Sequence, residues 1–376
     1  MMKFLVEPTE LVDAVNWVAR SLSSRPIKPE LLGIMIDVDT SITLTGSDLE
    51  TSTKAILKAD ISAKGKVLVP GRLLAEIARS LPNKPITFVL DGTRVLVTAG
   101  TAKFTLPTLS VNEYPNLPEL PETAGVIPSD VFAHAVNQVA IAAGKDDSLP
   151  TLTGVHIEIN HNKITLAATD RYRLAVRELN WQAKNSEIEV NTLVRARTLA
   201  DAAKSLTAHS QVTLALSPLG SNERLIGFLS ELKTMTSRTL DGTFPPFKHL
   251  LPTNSVAQAT IEVGPFLDSV RRVALVTDKT VPLRLIFTPN SLQLEAGAGE
   301  DAQATEELDI IYTGEPISIA FNPQYLTDGL QAIGTPYVQI NFTGASKPAV
   351  LTGKHELNGA RDESYQYLLM PMRYSA

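Results

Sequence analysis

The sequence predicts an α+β protein made of three copies of one domain, each with two helices packed on antiparallel sheets. Three observations carry this expectation. One apolar helical pattern occurs three times, a second recurs three times without a gap, and proline-rich connectors close the first two copies. Domains of 1–124, 125–254 and 255–376 follow.

The first helix of each copy is read from "PTELVDAVNWVARSL" beginning at Pro8, "PSDVFAHAVNQVAIAA" at Pro128 and "GPFLDSVRRVALVT" at Gly264. All three share the pattern small-Val-x-x-Val-Ala: Ala14, Val15, Val18 and Ala19; Ala135, Val136, Val139 and Ala140; Ser269, Val270, Val273 and Ala274. That spacing lines one helical face. Pro8-Thr9 with Glu10, and Pro128-Ser129 with Asp130, are helix-start signals.

The second helix is "RLLAEIARSL" (72–81), "RTLADAAKSL" (197–206) and "QYLTDGLQAI" (324–333). Each follows a β-like run ("KVLVPG", "EIEVNTLV", "ISIAFNP") and precedes another ("PITFVLDG", "QVTLALS", "YVQINFTG"). Between the helices, alternating stretches such as "GVHIEINHNKITLAATD" read as hairpins, this one turning at Asn160–Lys163. The connectors are "EYPNLPELPE" (113–122) and "FPPFKHLLP" (244–252).

In the second helix Leu74, Ile77, Ala78 and Leu81, matched by Leu199, Ala202, Ala203 and Leu206, form the stripe that must pack on the sheet. Arg72 and Arg79 lie two turns apart on another stripe, and Arg197 and Lys204 fill the same slots in the second copy. Gln324 and Gln331 fill them in the third. A pair that stays polar and never acidic points to a surface facing phosphates. Glu76, Asp201 and Asp268 offset those cations, so such contact is weak, salt-sensitive and blind to sequence. The sequence has no aromatic row for stacking single strands and no helix dense in base-reading side chains.

The chain closes on "SYQYLLMPMRYSA" (364–376), where Leu368, Leu369, Met370 and Met372 crowd around Pro371. Termini fray unless something ties them down. The tail is expected to be the last strand of a sheet, at an edge because Pro371 lacks a ladder donor. Its methionines also suit a surface that accepts several partners.

Composition narrows the function. Hydrophobic content of 44% and charged content of 20% are those of a globular protein, and a net charge of −6 argues against a tight grip on nucleic acid. The absence of cysteine excludes disulfides, thiolate metal sites and thiol nucleophiles. No 18-residue apolar run exists, and "MMKFLVEPTE" is no signal peptide, so a cytoplasmic protein without a membrane partner is expected. His134, His156, His161, His209, His249 and His355 make no metal-binding spacing, while "EAGAGED" and "GASKP" lack phosphate-loop spacing. No catalytic set is present; neither enzyme activity, nor a metal, nor any cofactor is expected.

Three such domains, with "TDRYRLAV" (169–176), "FPPFKHLLP" and the terminal "YLLMPMR", resemble the bacterial β sliding clamp family, the processivity factors of the replicative DNA polymerase. The resemblance spans the whole chain. It departs at Arg171-Tyr172, where many members have Gly-His, so the pocket there should differ in shape. It implies DNA-clamp domains assembled as a head-to-tail homodimer, a ring that encircles duplex DNA and slides without sequence specificity. Replicative polymerase, clamp loader and repair proteins would each insert a short peptide, Gln followed by Leu or Met and ending in Leu-Phe, between the second and third domains. The implied walls of that pocket are Leu152, Thr169, Arg171, Tyr172, Arg173, Leu174, Pro245, Leu250, Ser346, Leu368, Met370, Pro371 and Met372. The resemblance likewise implies a dimer contact of Phe104 and Leu106 with Leu275 and Val276 of the other subunit, and DNA contacts from Arg25, Arg72, Arg79, Arg195, Arg197 and Lys204.

Packing geometry agrees with a ring. Six domains with two helices each, spaced about 10 Å apart, trace a circle ~38 Å across. Removing about 5 Å of side-chain radius on each side leaves a hole of ~28 Å. B-DNA, roughly 20 Å wide, passes with a film of water. Enclosure would then hold the protein on DNA, and the acidic net charge is no contradiction. The alternative is a monomeric peptide-binding scaffold of the same fold that never encircles DNA.

Overall fold

The computed structural model describes residues 2–373 except 24, 208, 219, 222, 253, 278–280 and 298–301. Six α-helices occur among them: α1 (Pro8–Val18), α2 (Gly71–Ser80), α3 (Ser129–Ala140), α4 (Ala196–Ser205), α5 (Val263–Val273) and α6 (Pro323–Ile333). They fall where the two repeated patterns place them. α2 buries Leu74, Ile77 and Ala78 and exposes Arg72 and Arg79; α4 buries Leu199, Ala202 and Ala203 and exposes Arg197 and Lys204. Leu81 lies past the last turn of α2 and is only half-buried. Both ends of α6 are capped. The Asn322 side chain accepts the backbone N–H groups of Gln324 and Tyr325 at 2.9 and 3.1 Å, and Gly334 takes the left-handed φ of 72° that ends the helix.

Among the described residues the strands form four sheets of five, nine, nine and four strands, and the described pairings are antiparallel. The hairpin expected at Asn160–Lys163 is present, with those two residues paired. The residues group into two compact units, 1–133 with 181–188 and 200–239, and 134–180 with 189–199 and 240–376. Each unit holds one nine-stranded sheet, and each such sheet takes strands from two successive sequence repeats. In the first unit Lys233–Arg238 pairs with Thr51–Leu57. In the second, Arg361–Leu369 pairs with Arg173–Asn180.

That second pairing corrects one expectation. The terminal strand Arg361–Leu369 is not an edge strand; it runs between Arg173–Asn180 and Ala349–Lys354 in the middle of its sheet. Pro371 comes after the last ladder residue, so its missing N–H costs the sheet nothing.

Large side chains fill both units. Trp17 is buried in the first, with Phe4 and Phe88 stacked at 4.7 Å; Phe266, Phe287, Phe321, Phe342, Tyr365 and Tyr367 are buried in the second. Each such side chain removed from water contributes about 1.5–3 kcal/mol. Each unit thus has an apolar core of its own beneath the surface features described below.

Candidate functional site

The turn 169–173 is built by its own side chains. Thr169 Oγ1 donates to the Arg173 carbonyl at 2.7 Å and accepts the Arg171 N–H at 3.2 Å. Asp170 Oδ1 accepts the N–H groups of Tyr172 and Arg173 at 3.0 and 3.1 Å. These bonds hold Arg171 at a φ of 80°, a left-handed conformation that costs a non-glycine residue about 1–2 kcal/mol. The first unit contains the same turn: Ser47 and Asp48 make the matching bonds, and Leu49 has a φ of 77°. What differs is the side chain displayed at the tip.

Behind the tip, Arg173 is buried and fully engaged. Its Nε reaches Asp170 Oδ2 at 2.9 Å and a terminal nitrogen reaches Asp328 Oδ2 at 2.6 Å, while the guanidinium lies 4.3 Å from the Tyr325 ring centroid. Desolvation opposes its charge, yet Tyr367, Asp328 and Asp170 outweigh that and hold its pKa above the ordinary arginine value. Arg173 thus locks the turn onto α6. Tyr172 stays 55% exposed, its ring stacked on Tyr325 at 6.4 Å with the Arg171 guanidinium 6.0 Å away.

Leu152, Arg171, Tyr172 and Arg173 line one cavity of about 580 Å³, together with residues of the segment 143–149 and with Gln324, Tyr325 and Asp328. Sequence reasoning misses that segment and α6. It gives Gln324 a slot facing phosphates, whereas the Gln324 Nε2 donates to Asp328 Oδ1 at 2.7 Å. The available signal is the i,i+4 spacing of Gln324 and Asp328.

The other expected pocket residues approach from the tail and from the connector. Leu174 pairs with Leu368, Met370 N–H donates to the Tyr172 carbonyl at 2.9 Å, and Met372 N–H donates to the Ala320 carbonyl at 2.8 Å. Leu174 and Leu368 are buried in one cluster with Phe244 and Phe247, which seats the connector carrying Pro245 and Leu250. Pro245 and Leu250 are exposed. Met370 is 39% exposed, and Pro371 and Met372 are half-buried. Ser346 is exposed in the turn before Ala349, the residue that pairs with Leu369. A strip of accessible apolar groups on a buried, hydrogen-bonded base is suited to bind apolar side chains of an extended segment.

The expected DNA-facing cations are separate from this strip. Arg25, Arg72, Arg79, Arg197 and Lys204 are exposed and Arg195 is half-buried. Arg79 Nε donates to Asn16 Oδ1 at 3.0 Å, and Arg195 stands 4.0 Å from Asp147. For the expected dimer contact, Phe104 is half-buried on the strand Ala102–Pro107, which is the edge of the five-stranded sheet. Leu275 is 83% exposed and Val276 half-buried. Leu106, however, has no accessible surface. It packs inside its own chain and can support a contact there without making one.

Among the described residues no group of three or more His, Asp or Glu is placed to hold a metal, and no helix is long and apolar enough to cross a membrane. Stitched antiparallel sheets, repeated helix pairs and an accessible apolar strip are the features of a protein of the DNA-clamp class. Models of the N-terminal, central and C-terminal domains of the DNA polymerase III beta subunit match residues 2–118, 126–246 and 248–373. The chain belongs to that family, the bacterial β sliding clamps, processivity factors of the replicative polymerase. It is 49% identical to the beta sliding clamp of Streptomyces coelicolor over 375 residues, covering 100% of both chains. It is 44% identical to that of Micrococcus luteus over 308 residues, covering 82% of this chain and 98% of the relative. The crystal structure of the DNA polymerase sliding clamp from Bacillus subtilis superposes with a TM-score of 0.90 at 25% identity, covering 100% of each chain.

Proposed function

We propose that two copies of the chain close head to tail into a ring around duplex DNA, which slides without reading sequence. Its three domains, bounded at 1–124, 125–254 and 255–376, supply six segments to that ring. The replicative polymerase, the clamp loader and repair proteins are tethered by short peptides laid on the strip from Leu152 and Tyr172 to Met372. The protein is cytoplasmic and not an enzyme; it acts by enclosure and tethering.

The observation that carries the reading is the pair of sheet edges. Ala102–Pro107 ends the five-stranded sheet and Ala304–Asp309 ends the four-stranded one, so each offers an unpaired backbone row. Their charges are complementary. Lys103 stands on the first edge and Arg94 beside it, while exposed Glu307 and Asp309 stand on the second; Glu306 is already paired with Arg272 of its own chain. Pairing one copy's first edge with the other's second is a heterologous contact that closes when its rotation does. Half-buried Phe104 and exposed Leu275 would add apolar area.

Two measurements test this. A mass in solution of twice the 40.6 kDa chain is expected at micromolar concentration, and a stable single-chain species would favour the monomeric scaffold. Protein loaded on circular DNA should be retained and then released when the circle is cut. Equal retention on circular and linear DNA would mean that it grips and does not enclose.

A further inference from the structure

The turns 47–51 and 169–173 share their hydrogen bonds and a left-handed third residue, Leu49 at a φ of 77° and Arg171 at 80°. A glycine meets that backbone demand without strain. At 169–173 the position instead carries a long cation, and it stands on the wall of the cavity of about 580 Å³. Strain kept beside a cavity points to a use for the side chain that imposes it.

The carboxylates on that wall already have partners. Asp170 accepts the backbone N–H groups of Tyr172 and Arg173 and the Arg173 Nε, and Asp328 accepts from Arg173 and Gln324. Asp146 accepts the Ser148 N–H at 2.9 Å; Arg171 is near enough to favour its charged form but makes no ion pair with it. Arg173 is engaged with Asp170 and Asp328. That leaves Lys145 and Arg171, both exposed, as the lining cations without an ion-pair partner among the described residues. They differ in how they are held. The Arg171 guanidinium lies 6.0 Å from the Tyr172 ring centroid, and that ring stacks on Tyr325, whereas Lys145 has no such support among the described residues. A planar guanidinium also matches a carboxylate with two parallel donors, which an ammonium cannot do.

Resting on the tethering function proposed above, we propose that Arg171 is a specificity-determining residue of the docking site and selects partner peptides that carry an Asp or Glu beside their apolar anchors. Apolar contacts at Leu152, Tyr172 and Met370 are indifferent to charge, so they supply affinity without this discrimination. Arg171 adds it at the rim, where a peptide carboxylate keeps part of its hydration while it pairs. The left-handed strain at the turn tip is thus retained for recognition and not for the fold.

The test is fluorescence anisotropy of the full chain with labelled peptides built on Gln-Leu-Xaa-Leu-Phe. The residue before Gln, the central Xaa or a residue added after Phe is in turn Asp, Asn or Lys, at constant ionic strength. At one of the three positions Asp should bind about two- to fivefold tighter than Asn, the range of an exposed ion pair, and Lys weaker still. The preference should shrink as salt rises. Arg171→Gly and Arg171→Met should bind the Asn peptide and lose the preference, Arg171→Lys should keep part of it, and Arg171→Glu should reverse it towards Lys. If the peptides bind alike whatever their charge, or if Lys145→Met removes the preference and Arg171→Met does not, the selection by Arg171 is overturned while the docking site stands. If no peptide binds the wild-type chain, the docking site itself falls and this inference with it.

Discussion

Arg173 holds two carboxylates that would otherwise repel each other beside a peptide-sized cavity. Its replacement by Met leaves Asp170 and Asp328 facing one another unneutralised. The expected loss of stability is about 3 kcal/mol, the low end for a broken buried pair, because the Asp328 side chain keeps 21% of its surface in water. Urea unfolding measures it. Arg171 poses the opposite case. Arg171→Gly should relieve about 1–2 kcal/mol of left-handed strain, offset by about 0.5–1 kcal/mol of extra chain entropy, for a small net gain in stability. Leu49→Gly should behave alike, because the two turns share their hydrogen bonds. If only one of the pair gains, the turns are not equivalent. His156 adds a pH dependence. Burial lowers its pKa below 6.5, with Glu158 opposing and Lys248 assisting, while its ring stacks on Phe244 at 5.1 Å. The unfolded chain therefore binds the proton first, so this contribution is complete above pH 6.5 and disappears as pH falls through the lowered folded value. In His156→Phe that part of the pH dependence of unfolding should vanish.

At the scale of elements, the terminal strand is a structural member and its last residues are surface. Leu368 and Leu369 are buried in mid-sheet, while Met370 and Met372 only anchor their backbones, to Tyr172 and Ala320. Deleting residues 370–376 should therefore abolish binding of partner peptides and leave the dimer intact, since the expected interface lies elsewhere. Titration with a fluorescent Leu-Phe peptide checks the first part and solution mass the second. Unchanged peptide affinity would remove the pocket assignment. These elements are unequally legible in the sequence. The helices are readable because Val15 and Val18, or Leu74 and Ile77, repeat at a spacing set by local geometry. The hairpin at Asn160–Lys163 is readable for the same reason. That Lys233–Arg238 and Arg361–Leu369 each join a sheet from the preceding repeat is not, because strand pairing at long separation leaves no local pattern. The turn 169–173 is recognisable by its letters, but its grip on α6 depends on Arg173 meeting Asp328, 155 residues away. Pro371 misleads, since two residues past the ladder it looks the same in sequence as an edge proline.

At the scale of the whole molecule, a chain of net charge −6 has to remain on a polyanion. Affinity alone would fail. Enclosure succeeds if the inner wall carries enough cations to cancel local repulsion and too few to stall movement. Arg72, Arg79, Arg197 and Lys204 are exposed on the second helices of the first two repeats, and the third offers only Gln324 and Gln331 in the same slots. Replacing the four cations by Ala takes the formal charge from −6 to −10 per chain. Loading on DNA and retention on closed circles should then fall, most at low salt, where exposed charges act over the longest range. Binding of partner peptides should be unchanged, because none of the four lines the cavity at Tyr172. The salt slope of loading should flatten by about one for each phosphate that is no longer neutralised. Wild-type retention of the fourfold variant on circular DNA at low salt would show that these helices face away from the duplex.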